Sequence, residues 1–166
     1  MINSRKQIRL KNYDYSQSGL YYVTICTQNR KYLFGNIFNG KMELNDFGEI
    51  VANIWESLPN HHPVKLDMFQ IMPNHVHFII EIIMGASRRA PTILGTIVGL
   101  FKSECTKQMN NVGATRGSPN FKTHSSPWQR NYYEHVIRNE NELIKIRKYI
   151  KYNPLFWNRD INFKYV

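Results

Sequence analysis

The order of elements legible in the sequence predicts an α+β fold: a ferredoxin-like βαββαβ core with an antiparallel sheet, an accessory hairpin and an added C-terminal helix. Three observations carry this expectation. Stretches of β-branched or alternating character and stretches of helical spacing follow one another as strand, helix, strand, strand, helix, strand, helix. The 166 residues suffice for one full core but are short for two, so residues 1–166 are expected to form a single domain. Hydrophobic residues at 42% and aromatics at 13% lie well above what a disordered chain shows.

Taken in order, residues 1–18 are a polar arm containing Arg5, Lys6, Arg9 and Lys11. Tyr21 to Thr27 is rich in β-branched and aromatic residues and apolar on both faces, which predicts a central strand that ends over Gln28 to Lys31. Ile37 to Met42 carries the Asn39-Gly40 signature of a two-residue hairpin, the accessory ribbon. Asn45 or Asp46 can cap a helix through Leu58, with Ile50, Ile54 and Leu58 in helical register, Val51 and Trp55 widening the stripe, and Pro59 ending it. The turn formers Pro73 and Asn74 separate two apolar runs, Asp67 to Met72 and Val76 to Ile82, which read as paired strands. Met84 to Pro91 is a loop, and Thr92 can cap a second helix whose buried stripe is Leu94, Ile97, Val98, Phe101 and Cys105. Residues 110–127 hold Gly113, Gly117 and Pro119 among Ser, Thr and Asn, and are expected to be a mobile loop. Trp128 to Ile137 reads as extended, and Asn139 with Glu142 at the third helical position starts a last helix through Tyr152. It is expected to stop at Asn153-Pro154, because a residue before proline is biased away from helical geometry.

The formal net charge of +10 and pI near 9.7 call for a polyanionic partner. Nucleic acid leads over a membrane surface: no apolar run approaches the ~20 residues needed to span, and Met1 to Lys6 lacks the apolar core of a signal peptide. A cytoplasmic protein is the expectation. Cys26 and Cys105 lie too far apart in sequence for a thiolate zinc motif and are too few for a disulfide framework, so both are expected reduced and buried. Between residues 121 and 166, nine Lys or Arg face four Asp or Glu, so half of the excess charge sits in this last quarter. Candidate phosphate contacts are Arg88, Arg89, Lys102, Arg130, Arg138, Lys145 and Lys148. Trp128, Tyr132 and Tyr133 could stack unpaired bases, with core packing the competing role.

The chemistry centres on the second strand of the hairpin after Pro73. Alternation places Val76, Phe78, Ile80 and Ile82 on one face and His75, His77, Ile79 and Glu81 on the other. The first set seeks a core. The second presents two imidazoles side by side on a free face, able to reach one divalent ion, although such a pair is often only polar surface. On the last helix Tyr149 and Asn153 are four residues apart and share a side, whereas Tyr152 and Asn153 diverge by about 100°. Ile146 and Ile150 would pack that helix down.

Met72-Pro73-Asn74-His75-Val76-His77, Trp128 to Arg138 (WQRNYYEHVIR) and Tyr149-Ile150-Lys151-Tyr152-Asn153-Pro154, in this order, resemble the single-tyrosine HUH transposases, and most closely the REP-associated tyrosine transposases. Tyr21 to Arg30 and Pro91 to Ser103 also take part. The resemblance implies a transposase that cuts and rejoins single-stranded DNA bearing hairpins or repeats. Tyr149 would be the nucleophile on the C-terminal helix, and His75, His77 and Asn153 would hold Mg²⁺ or Mn²⁺. Other branches carry Gln where this chain has Asn153. The product of cutting would be a 5′-phosphotyrosine and a free 3′-hydroxyl, and the resemblance leaves both a monomer and a homodimer open. Two alternatives stand beside it: a DNA-binding protein of this fold that does not cleave, and a metal-dependent hydrolase that uses water.

Overall fold

The structure is a computed structural model that describes residues 18–83, 93–115 and 126–159. Residues 1–17 of the basic arm, the pair Arg88 and Arg89, Thr92 and residues 116–125 lie outside the described residues.

Strand β1 (Gly19–Cys26) is followed by the hairpin β2 (Gly35–Phe38) and β3 (Lys41–Leu44), then α1 (Asp46–Ser57), β4 (Val64–Met72), β5 (His75–Ile82), α2 (Ile93–Thr115), β6 (Tyr133–Ile137) and α3 (Glu140–Tyr152). The main sheet runs β4-β5-β1-β6 with every neighbouring pair antiparallel. Counting core strands alone, that is second, third, first, fourth, the expected ferredoxin-like order. The β2-β3 turn places Asn39 and Gly40 at φ 49° and 72°, the two left-handed residues that a tight hairpin turn requires.

Alternation divides the sheet into two faces. Tyr21, Val23 and Ile25 of β1 and Val76, Phe78 and Ile80 of β5 face α1 and α2, where Val51, Ile54, Trp55, Leu94, Ile97, Phe101 and Cys105 complete the main core. On the opposite face Tyr22, Ile79 and Ile137 pack beneath Leu143 and Ile150 of α3, with Ile146 beside them. That face is therefore roofed, not free. The apolar side of α3 has no other place to hide from water.

Several local features fasten α3. The Asn139 side chain accepts from the Glu142 amide at 2.9 Å, capping the helix, and the Glu142 carboxylate in turn accepts from the Arg138 amide and from His135, the latter at 2.6 Å. Those two hydrogen bonds, the backbone one first, hold the Glu142 carboxyl below its ordinary range. Further along, Arg147 grips both carboxylate oxygens of Asp67 on β4, tying the middle of the helix to the far edge of the sheet.

One helix boundary differs from expectation. α2 continues to Thr115, so residues 110–115 are helical, because Met109 is buried and prolongs the apolar stripe past Cys105. α3 ends at Tyr152 as expected, yet Pro154 does not stop the chain from coiling: Asn153 keeps helical angles (φ −54°, ψ −43°), and a 3₁₀ segment runs over Asn153–Arg159. Pro154 and Trp157 are buried in that segment, and this packing outweighs the pre-proline bias. Trp128 makes only an isolated bridge to Thr27, and β6 proper begins at Tyr133. Among the described residues no helix is long and apolar enough to cross a membrane.

Candidate active site

The antiparallel register places His75 opposite Cys26 and His77 opposite Thr24, so the two histidines share a sheet face with Tyr22, Thr24 and Cys26. Both imidazoles are buried, at 0% and 1% exposure, where the sequence suggested an open polar face. The cover comes from α3 and the segment after it. Tyr149 sets its ring edge-on to His77 with centroids 5.3 Å apart, and Trp157 stacks on His75 at 5.9 Å.

Hydrogen bonds define the pair. The two Nε2 atoms lie 2.8 Å apart. His75 Nδ1–H donates to the Asn74 side-chain oxygen at 2.8 Å, and the Asn74 amide nitrogen donates onward to the Arg30 carbonyl at 3.3 Å, which orients that amide. This fixes the His75 tautomer and leaves its Nε2 lone pair pointing at His77. Burial, reinforced by the nearby charge of Arg30, pushes His75 down to about 3, so it is neutral at physiological pH. On the other side, His77 Nδ1 meets the Tyr22 hydroxyl at 2.9 Å and the Thr24 hydroxyl at 2.8 Å, while Thr24 also donates to Tyr22 at 3.0 Å. Hydroxyls both give and accept, so this pair can hold His77 in either tautomer, including the one that frees Nε2 for a cation.

Asn153 supplies the next observation. Its side-chain oxygen is buried and has no hydrogen-bond partner among the described residues. In the chain it stands between Tyr149, which touches His77, and Trp157, which touches His75. A buried acceptor left unmatched costs about 1–3 kcal/mol, a deficit that a ligand can remove. Among the described residues no group of three His, Cys, Asp or Glu could hold a metal, and a metal at the two imidazoles would need a donor of another kind, such as an amide oxygen. Two nitrogens and one carbonyl-type oxygen, completed by water or phosphate oxygens, would suit a divalent ion such as Mn²⁺ or Mg²⁺. The donor set fits.

The tyrosine that α3 brings to this face is Tyr149, with 46% of its surface exposed. Tyr152, also exposed, pairs its ring with Lys151 instead. Of the expected nucleic-acid contacts, Arg130, Arg138, Lys145 and Lys148 are exposed. Two others are placed differently. Trp128 is buried between Phe34 and Phe101, an anchor of the main core and not a stacking platform. Lys102 turns its ammonium onto the carbonyls of Gln129, Arg130 and Asn131 at 2.9, 3.3 and 3.4 Å, and lies over the Tyr132 ring. Burial pushes it down to about 8. Tyr132 packs against the main core, while Tyr133 is half exposed. Both cysteines are free thiols, Cys105 buried as expected but Cys26 partly open.

Sequence reasoning missed Tyr22, Thr24, Asn74, Arg30 and Trp157 as parts of this site. Tyr22 and Thr24 were legible only as members of a strand, and the polar Thr24 opposite a histidine becomes a signal once the register is known. Asn74 served as a turn former. The accessory hairpin also gains a role: a Cβ on Gly40 would come within 2.5 Å of a Leu155 methyl, so the hairpin tip abuts the segment that carries Asn153 and Trp157.

Comparisons with known proteins bear on the family and the fold. Residues 16–153 match the family model of the IS200-like transposase. An uncharacterized protein of Haemophilus influenzae is 41% identical over 176 aligned positions, which cover 96% of this chain and 93% of the relative. A second Haemophilus influenzae protein, named among the REP-associated tyrosine transposases, is 26% identical over 149 positions, covering 88% of this chain and 77% of its own. Among solved structures, a REP-associated tyrosine transposase bound to a REP hairpin superposes with TM-score 0.60 at 16% identity, covering 95% of this chain and 87% of that one. A Deinococcus radiodurans protein described as a transposase gives 0.51 at 15% identity, covering 86% and 96%. At these identities the structural likenesses speak to the fold.

Proposed function

The chain belongs to the IS200-like transposase family, and from that premise we propose that it cuts and rejoins single-stranded DNA beside hairpins, with Tyr149 as nucleophile. The observation that carries this reading is the seating of Tyr149 against His77, 5.3 Å between ring centroids, at the mouth of a buried two-histidine site. That a related fold was captured with a REP hairpin supports hairpin DNA as the substrate class.

Tyr149 Oη attacks the phosphorus. The Oη–P bond forms as the P–O3′ bond breaks, the phenolic proton passes to solvent, which the exposed ring can reach, and the departing 3′ oxygen takes up a proton to become a hydroxyl. Because the phosphodiester is conserved as a protein ester, a later attack by a 3′-hydroxyl rejoins DNA without a nucleotide cofactor. An unperturbed phenol is ionised to only about one part in a thousand at pH 7, and a Mg²⁺ or Mn²⁺ ion held by His75, His77 and Asn153 would favour the phenolate and neutralise phosphate charge. The protein's own contribution is orientation: Tyr22 and Thr24 fix His77, Asn74 fixes His75, and Trp157 shields the pair from water. Exposed Arg130, Arg138, Lys145 and Lys148 supply phosphate contacts around it.

The test is incubation with labelled hairpin-bearing single strands and Mn²⁺, followed by denaturing electrophoresis. Wild-type protein and Tyr152→Phe should give a denaturation-resistant protein–DNA species, and Tyr149→Phe should bind DNA without forming one. An adduct mapped to Tyr152, or turnover by Tyr149→Phe, would overturn the assignment.

A further inference from the structure

Beside the histidine pair lies a cavity of about 450 Å³, walled by the end of β1, the turn after it, the Gln129–Tyr133 segment and Tyr149. We propose that this cavity seats the single unpaired nucleotide joined to the phosphate that Tyr149 attacks, with the Arg30 guanidinium on that phosphate. The inference rests on the reading of Tyr149 as nucleophile.

Size comes first. Small-molecule sites run roughly 300–1,000 Å³, and the cavity sits near the lower end, room for one nucleotide and too small for a base-paired duplex. Its lining is also of the right kind. His77 and Tyr149 close the side toward the reacting centre, and Tyr133 offers a half-exposed ring on which a base can stack. Gln129 and Asn131 bring amides, each both donor and acceptor, which suits the mixed hydrogen-bonding edge of a base. Lys102 braces this wall from behind by taking the carbonyls of residues 129–131, so the wall is held in place without being filled.

Arg30 is the cation in the lining. It sits in a backbone conformation that side chains avoid: Asn29 and Arg30 are consecutive left-handed residues at φ 55° and 54°. Such a turn persists only where its surroundings enforce it. Here Thr27 donates its hydroxyl to the Asn74 and Lys31 carbonyls, Gln28 N–H donates to the Pro127 carbonyl at 2.7 Å, and Arg30 N–H returns to the Thr27 carbonyl at 3.1 Å. The strain brings a planar fork of donors to the wall that Tyr149 shares, and a fork of that shape matches phosphate oxygens.

The experiment uses a hairpin oligonucleotide with 2-aminopurine moved one position at a time along its single-stranded flank, bound to Tyr149→Phe protein so that no cleavage intervenes. One position should be quenched by stacking, and Tyr133→Ala should relieve that quenching. Arg30→Gly removes the guanidinium while leaving a residue at ease at positive φ. It should slow adduct formation by wild-type Tyr149 by about 10- to 100-fold, the worth of one hydrogen-bonded charge, and Arg30→Lys should recover part of the rate. Quenching at no position, or an Arg30→Gly rate equal to wild type, would overturn the proposal. The two readings separate: absence of any adduct with the parent protein counts against Tyr149, whereas the quenching scan judges the cavity whether or not DNA is cut.

Discussion

The two faces of the central sheet are built from alternate residues of the same strands, yet they do different work. Toward α1 and α2, β1 and β5 present Tyr21, Val23, Ile25, Val76, Phe78 and Ile80 to a continuous apolar core. Toward α3 they present Tyr22, Thr24, His75, His77 and Ile79, of which only Tyr22 and Ile79 join the small apolar cluster under the helix. The first face satisfies itself. The second leaves a buried Asn153 oxygen without a partner among the described residues and two buried imidazoles in contact, arrangements that cost stability unless a ligand completes them. A two-residue period lets one segment serve both ends, provided a helix roofs the polar side without sealing it.

Exchanging injuries between the faces gives the largest expected effect. Phe78→Ala removes a ring packed against Trp55 and Phe101 and should cost about 3–5 kcal/mol in urea unfolding, while protein still folded in the cold keeps forming adduct. His75→Ala should end adduct formation altogether. Because His75 is fully buried, that variant should also leave a void and lose some stability, not behave as a neutral surface change. Equal loss of adduct in folded Phe78→Ala protein would erase the distinction between the faces.

A smaller effect is expected at the clasp between α3 and β4. Arg147 and Asp67 meet through two hydrogen bonds, but the arginine is 41% exposed, so solvent screening limits their coupling to about 1 kcal/mol or less. A double-mutant cycle on Asp67→Asn and Arg147→Gln measures it. Hydrogen exchange should meanwhile quicken in α3 and stay unchanged in α2.

The helix cap offers a comparable test: Asn139→Ala should destabilise by about 1 kcal/mol, read as a lower melting temperature, through the lost bond to the Glu142 amide.

The smallest expected effect is a pH slope from Glu142. Its folded pKa is depressed, so its stabilisation is complete above the unfolded value near 4.5 and is lost as pH falls through the lower folded value. Unfolding midpoints between pH 6 and 3 should therefore decline less steeply for Glu142→Gln than for wild type. Parallel profiles would show that this carboxylate does not help to hold α3.

Local chemistry was legible in the sequence wherever neighbours along the chain decide the outcome. Asn39-Gly40 specified its turn because few other pairs tolerate two left-handed residues, Asn45 and Asn139 specified helix starts, and alternation in β5 sorted Phe78 from His77. The element order then left few ways to arrange the sheet. The spacing of Tyr149 and Asn153 also spoke through helical geometry alone. Misreadings arose where a distant element intervened. Trp128, interleaved with basic residues, looked like a stacking surface until Phe34 and Phe101 enclosed it. Lys102 looked like a phosphate contact until three carbonyls from residues 129–131 converged on its ammonium.

The sequence by itself thus determined the strands, helices, caps and facing of side chains, because dihedral preference and hydrophobic period act over a few residues. Only tertiary structure decided that the histidine face is closed over by α3 and Trp157, that Tyr22 and Thr24 orient His77 from the neighbouring strand, and that Arg30 is held in a left-handed turn beside them. Each of those outcomes depends on pairing across dozens of residues, where strand register and packing, not local preference, set which groups meet and how far water can follow.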